Sequence, residues 1–363
     1  MTLTFGLACA QGLPGAPVFD AFPLGLEWDA LFDRAVDERA VSLLACAVAE
    51  GLICATPAQA EQLGIGHEAA MRSCVWLERW TLEVVQLFAD AAIEVRLLKG
   101  PAVAHLDYPD PAWRAFGDID VLVPSAQYDD AIRLLLAVGG RRRSQEVRPG
   151  FDRRFGKGAC VTLLNGVQVD VHRTLASGPF GLTVDLGELF RRSEVVTLAD
   201  RPVPVLSREL RLVHACYHAA LGDTTPRVVA LRDVAQMLGS TELDFDEVRR
   251  IGKRWRAEIV LARAISLTWD ALQLAATPVS EWATAFSGDR FERSALSAYV
   301  GADRSYARQM LAGLPAVSGL RAKIFYIRSL VFVDATYAAR HGGGFGRRVQ
   351  RAWNVRTGRE RVA

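Results

Sequence analysis

An α+β fold, with a mixed β-sheet set between two helical regions, is predicted by three observations. Residues 27–92 carry apolar side chains at helical spacing with few breakers; residues 93–206 switch to short β-like runs separated by turns; residues 207–340 return to helical periodicity. Strands that first alternate with helices and then pair as hairpins predict a mixed sheet, not a doubly wound parallel one. The expected division is a helical region over 1–92, a sheet-bearing core over 93–206, a helical domain over 207–340 and a basic tail over 341–363.

The elements follow in chain order. Trp28, Leu31, Phe32 and Ala35, then Val41, Leu44 and Val48, mark helical faces, and Thr56-Pro57 is a helix start with Pro in the first turn. Trp76, Trp80, Val84, Leu87 and Phe88 continue that pattern. Strands are expected at 94–99, ending at Gly100-Pro101, and at 118–123, closed by Pro124 and followed by a helix from Tyr128 to Gly139-Gly140. Residues 159–164 and 167–173 flank Asn165-Gly166, a two-residue hairpin signal, and 195–198 and 203–206 form a second pair around residues 199–202. Ser207, Asp244, Ser280 and Ser287 are the expected caps of later helices. Trp76, Trp80, Trp255, Trp269 and Trp282 sit on apolar faces and are expected in the core.

Of the 363 residues, 50% are apolar and 23% charged, a globular balance with material for two or three packed units. The net charge of +2 gives no global field toward nucleic acid or membrane. All but four of the 43 basic residues are Arg, which singles out Lys99, Lys157, Lys253 and Lys323. The six cysteines are scattered, without a C-x-x-C pair or zinc spacing, and predict reduced thiols in a cytoplasmic protein. No basic segment precedes the first apolar run, so no signal peptide is expected. The longest apolar stretch, 41–55, is broken by Glu50 and reads as a core helix, so no membrane partner is expected.

Candidate chemistry gathers in the middle of the chain. In a strand, Asp118 and Asp120 face one side while Ile119, Val121 and Val123 enter the core. Two carboxylates there call for a cation between them, and a divalent ion held with substrate phosphate is the simplest. D-x-D alone fits equally a pair of aspartates flanking a turn. Asp170 and His172 repeat the arrangement on a second strand, where a third carboxylate would complete a two-metal site for phosphoryl chemistry. His172 is either a substrate or carboxylate contact or a hydrogen-bonded histidine at the sheet rim. Lys99 and Gly100 end a strand before a helix, whose free N–H groups and positive dipole end suit a phosphate. Arg114 is a phosphate-clamp candidate or an exposed loop arginine.

These residues, L-L-K-G at 97–100, Y-P-D-P-A-W-R-A-F-G-D-I-D-V-L-V at 108–123 and V-D-V-H at 169–172, resemble the nucleotidyltransferase family of the DNA polymerase β superfold. More narrowly they are similar to a bacterial branch known simply as nucleotidyltransferase family proteins, some of which accompany peptide natural-product clusters. The resemblance spans about 25–340 and is close over 95–140 and 165–175. It implies a polymerase-β-like nucleotidyltransferase core at 93–206. Asp118, Asp120 and Asp170 match the metal-binding, catalytic carboxylates; Asp170 completes a metal site and helps activate the acceptor hydroxyl. Lys99, Gly100, Arg114 and Gly117 would bind nucleotide. The Lys-Gly pair departs from the usual Gly-Ser or Gly-Gly and stands further from Asp118, which makes it a modified phosphate grip.

The activity implied is transfer of a nucleoside monophosphate from a nucleoside triphosphate, ATP first, to a small-molecule or peptide acceptor, with two Mg²⁺ ions (Mn²⁺ as substitute) and release of pyrophosphate. Relief of carboxylate repulsion in Asp118→Asn is expected to stabilise the metal-free protein. The alternative is a catalytically silent nucleotide- or partner-binding module of the same fold. Asp233 is read as a second contact to nucleotide or acceptor, or as a capping carboxylate. His214 and His218, four apart on one helix face, are expected near the cleft and not as a zinc site. The six arginines of 341–363 read as a solvated terminus, with nucleic acid a minority partner.

Overall fold

Seven short strands carry the site. The computed structural model describes residues 3–301, 304–334 and 337; the expected basic tail lies outside them. The strands are β1 (Arg96–Leu98), β2 (Ile119–Leu122), β3 (Arg141–Arg142), β4 (Gly158–Thr162), β5 (Gln168–His172), β6 (Ser193–Leu198) and β7 (Arg201–Leu206), in the order β3-β4-β5-β2-β1-β7-β6. The sheet is mixed, as expected: β2 with β5 and β1 with β7 are parallel, the remaining neighbours antiparallel. The edge strand β3 has no apolar alternation and was not expected.

Both hairpins form, with turns of other lengths than the expected Asn165-Gly166 pair and residues 199–202. Leu163 accepts from Gly166 N–H at 3.0 Å and donates to Val167 C=O at 2.8 Å, so Leu164, Asn165 and Gly166 make a three-residue loop with Gly166 at φ 84°. That is a type I turn closed by a bulged glycine. Between β6 and β7 the turn has only two residues, Ala199 and Asp200, both at positive φ (44° and 61°), and pairing runs on to Arg201 and Pro202.

The pleat sorts the core into two. Ile119, Val121, Val169, Val171 and Val205 point to one face, packed under the 34-residue helix Pro57–Asp90 and the helix Tyr128–Ala137. Thr56 caps the long helix through a reciprocal pair with Gln59. The opposite face carries Leu98, Leu122 and Leu206 against the C-terminal helices, chiefly Arg208–Leu221, Val228–Leu238 and Glu258–Leu272. The N-terminal helices Leu3–Ala10, Leu26–Asp37 and Val41–Ala49 join this second cluster. Buried Arg232 ties them there, donating to Cys9 and Gln11 carbonyls at 2.8 Å.

Later helix starts depart from expectation in part. Asp244 caps its helix, accepting from Glu247 N–H. Ser207 makes no side-chain cap bond; Thr277, not Ser280, and Asp289, not Ser287, are the caps that follow, because each stands one turn before its partner N–H. Trp255 is fully buried, whereas Trp76 is 45% exposed. Among the described residues no helix is long and apolar enough to cross a membrane.

Candidate active site

The ladder sets the centre of the site. Asp120 on β2 is the register partner of Asp170 on parallel β5, and of Leu98 on β1 on its other side. Period-two alternation therefore puts Asp120, Asp170 and His172 on the face turned to the C-terminal helices, while their valine neighbours fill the opposite core. One ligand atom from each of these three residues lies within 4.8 Å of the others. Asp118 stands one residue before β2, at the sheet lip, and its nearest cation is Arg39 at 3.9 Å.

Asp120 is 4% exposed and heavily partnered: Lys99 Nζ at 3.4 Å and His172 Nε2 at 2.7 Å both approach Oδ1. Burial alone would raise its pKa; Lys99, the His172 hydrogen bond and Lys157 overcome that and hold the carboxyl well below the usual carboxylate range. Asp118 goes the other way, raised by burial and then by the Asp120 charge, with Lys99 and Arg39 opposing. Burial and the Lys157 charge lower the pKa of His172. Because the Asp120 carboxylate can only accept, the His172 proton sits on Nε2, which leaves Nδ1 a bare acceptor, buried and without a partner among the described residues. Asp120 and Asp170, with one nitrogen of His172 nearby, form a donor set that fits a divalent cation, and the oxygens favour Mg²⁺ or Mn²⁺.

Lys99 and Gly100 form a strained corner. Lys99 has φ 38°, a region a side chain rarely adopts, and Gly100 follows at φ 40° as the helix Gly100–Asp107 begins. The corner delivers the Lys99 ammonium to Asp120 and sets Gly100 near the Asp118 backbone, where an added Cβ would stand 3.9 Å from the carbonyl oxygen. Gly117 lies under the Arg39 guanidinium, where an added Cβ would come within 2.5 Å of its central carbon.

Arg114 and Asp233 meet each other. Arg114 Nε and Nη2 bond the two carboxylate oxygens at 2.8 and 2.7 Å, Tyr108 Oη donates to the same Asp233 at 2.9 Å, and all three side chains are buried. The pair clamps the loop before Asp118 to the helix Val228–Leu238, and the guanidinium is turned to that helix. Two contributors were not singled out for the site by the sequence. Arg39 comes from the end of an N-terminal helix and had no motif signal. Lys157 immediately precedes β4; the scarcity of lysine flagged it, and burial followed by the charge of Lys99 lowers its pKa to about 8. His214 and His218 do line the cleft beside Lys99, as their spacing predicted.

A family model described as "Uncharacterised nucleotidyltransferase" matches residues 25–272. A comparison with curated proteins finds no match. Among solved structures, ANT(2'')-Ia in complex with adenylyl-2''-tobramycin is 15% identical at a TM-score of 0.36, covering 50% of this chain and 97% of that one. The lincosamide antibiotic adenylyltransferase LnuA, lincomycin-bound, is 16% identical at 0.30, covering 43% and 93%. An antigenic nucleotidyltransferase-like protein from Paracoccidioides brasiliensis is 16% identical at 0.32, covering 55% and 92%.

Proposed function

The chain belongs to the uncharacterised nucleotidyltransferase family, and from that membership we propose that it moves a nucleoside monophosphate from a nucleoside triphosphate, ATP first, to a small-molecule or peptide acceptor. The observation that carries this reading is the register pairing of Asp120 with Asp170, with Asp118 at the lip of the same sheet. In this reading an acceptor hydroxyl oxygen attacks the α-phosphorus. The new P–O bond forms as the bridging bond to the β-phosphate breaks; pyrophosphate leaves with the electron pair, and the hydroxyl proton passes to the Asp170 carboxylate. Lys99 and the helix N-terminus at Gly100 hold phosphate oxygens in line. Arg39 steadies Asp118, and His172 orients Asp120. Arg114 and Asp233 position the Asp118 loop.

Asp118, Asp120 and Asp170 would hold Mg²⁺, two ions in this reading, which when bound neutralise charge on the phosphates. The same reading keeps the divisions after residues 92, 206 and 340 and a reducing, cytoplasmic setting, consistent with six free thiols. A second reading, the silent nucleotide- or partner-binding module, is favoured by one observation: Lys99 and His172 already share an oxygen of Asp120.

The test is incubation of the protein with each α-³²P nucleoside triphosphate and Mg²⁺ or Mn²⁺, with and without cell extract, beside an Asp118→Ala/Asp120→Ala control. Label transfer or pyrophosphate release that disappears in the control is the expected outcome. Nucleotide binding without either would leave the silent module; absence of nucleotide binding would end the transferase reading.

A further inference from the structure

The charge of this chain is unevenly placed. Residues 304–363 hold twelve basic and two acidic residues, a net +10, against −8 over the first 303, so the total of +2 conceals a basic C-terminal end. The last described helix, Leu320–Val331, lies in that end. Its inner face is fixed to the body: Tyr326 is fully buried, donates its hydroxyl to the Met310 carbonyl at 2.6 Å and packs on Phe151 and Phe155. The outer face is apolar. Leu320, Ile324 and Ile327 recur at i, i+4 and i+7 and are 75%, 49% and 45% exposed. At about 100° per residue, Arg321 and Arg328 stand on one side of that stripe and Lys323 on the other. None of these three cations has an ion pair or hydrogen bond among the described residues. The long helix Pro57–Asp90 also exposes Ile65, Val75 and Trp76, but there Glu61, Glu68 and Glu83 accompany Arg72 and Arg79, the mixed charge of a solvated face.

An aliphatic stripe walled by cations fits a surface that is anionic outside and apolar just beneath. We propose that the helix Leu320–Val331 docks the protein on an anionic lipid bilayer, with Leu320, Ile324 and Ile327 entering between the headgroups and Arg321, Lys323 and Arg328 on the lipid phosphates. The helix lies in the plane of the surface; at 12 residues it does not cross. Other occupants fit less well. A second copy would set three cations against three of the same sign. The sequence beyond residue 337 carries seven arginines and one glutamate, so the same flanks repel it, and its charge adds to the attraction of an anionic surface. A nucleic acid would satisfy the cations but gives aliphatic side chains no stacking partner. The inference is independent of the transferase reading, since it uses neither the carboxylates nor Lys99 and Gly100.

The test is co-sedimentation of the full chain with phosphatidylcholine vesicles, without and with about one third phosphatidylglycerol. It is repeated on Leu320→Ser/Ile324→Ser/Ile327→Ser and on Arg321→Gln/Lys323→Gln/Arg328→Gln, with a single-stranded RNA homopolymer titrated in parallel. Binding is expected on the anionic vesicles and not on the neutral ones, weakened about tenfold or more by the serine variant and about a hundredfold by the glutamine variant. Each variant changes side chains outside the packed face, and the two are read separately, so one that fails to fold leaves the other to decide. No binding to anionic vesicles, equal binding to neutral ones, or affinity unchanged in the serine variant would overturn the proposal. Tighter binding to the RNA than to vesicles, lost in the glutamine variant and kept in the serine variant, would make this face a nucleic-acid surface and overturn the lipid assignment.

Discussion

Asp118 and Asp120, two residues apart, are pushed in opposite directions from the ordinary carboxylate value by the same neighbourhood. Asp120, between β1 and β5, receives Lys99 and His172 on one oxygen and is held ionised. Asp118, at the lip, is raised first by burial and then by the charge of Asp120, with Lys99 and, at 3.9 Å, Arg39 opposing.

The two asparagine variants should therefore part company in thermal melts without metal. Asp120→Asn strands a buried ammonium and is expected to lower stability by about 3 kcal/mol. Asp118→Asn removes a repelled charge and should raise Tm, as repulsion alone suggested. The Asp120 contribution is present above the usual carboxylate range and is lost as pH falls through its depressed folded value, so the Asp120→Asn deficit should shrink in acid. Equal shifts for the two variants at neutral pH would contradict this electrostatic account.

Asp152 offers a pH dependence of the other sign. Burial pushes its carboxyl up to about 6, opposed by Arg142 and aided by Glu146. A carboxyl raised in the folded state holds its proton more tightly there than in the unfolded chain. Its favourable contribution is thus full below about pH 4 and is lost as pH rises to about 6, by up to roughly 3 kcal/mol. Melting the parent and Asp152→Asn from pH 4 to 7 checks it: parent stability should fall relative to the variant across that window. A flat difference would be incompatible with a raised carboxyl.

Gly117 and Gly158 should respond differently to the same methyl group. At Gly117 the new carbon meets the mobile end of Arg39, within 2.5 to 2.7 Å. Gly117→Ala should displace Arg39 from Asp118, cost less than about 1 kcal/mol and weaken nucleotide binding several-fold. At Gly158 the carbon would stand 2.2 Å from the Val171 carbonyl in the neighbouring strand. Gly158→Ala should cost about 2–3 kcal/mol or more, because backbone cannot step aside. Denaturant melts and a nucleotide titration on both variants decide the matter.

Arg114 and Asp233 should be strongly coupled. Either Arg114→Met or Asp233→Leu alone leaves a buried charge unpaired and should cost about 3–5 kcal/mol. The double variant should fall short of the sum by about 2 kcal/mol or more in a denaturant cycle. Additive losses would mean that each side chain acts independently.

Much of the centre was legible because its signal is local. Asp120, Asp170 and His172 lie on strands whose alternation announces the facing side, Asp118 stands one residue before its strand, and the Thr56-Pro57 helix start is written in consecutive residues. What stayed hidden depends on contacts distant in the chain. Nothing around Arg39 says that the following loops will bring it over Gly117. Arg114 reads as an exposed loop arginine until the helix bearing Asp233, 119 residues later, closes over it. The Asn165-Gly166 turn gained a residue because Gly166, not Asn165, takes the left-handed position and bulges the ladder. The two-residue turn at Ala199-Asp200 lacks glycine altogether, so only the pairing of β6 with β7 reveals it.

The parallel pairing of β2 with β5 has a consequence for how faults in this molecule would show. A slip of one position would bring Val169 and Val171 to the face where Asp170 and His172 now stand, and drive the polar pair into the apolar layer beneath the long helix. A sheet misaligned by one position cannot keep its oily side intact and lose only its chemistry, or the reverse. Turnover would thus serve as a census of correctly aligned molecules: a preparation at half its specific activity should divide into fully competent and wholly inert chains, not into uniformly sluggish ones.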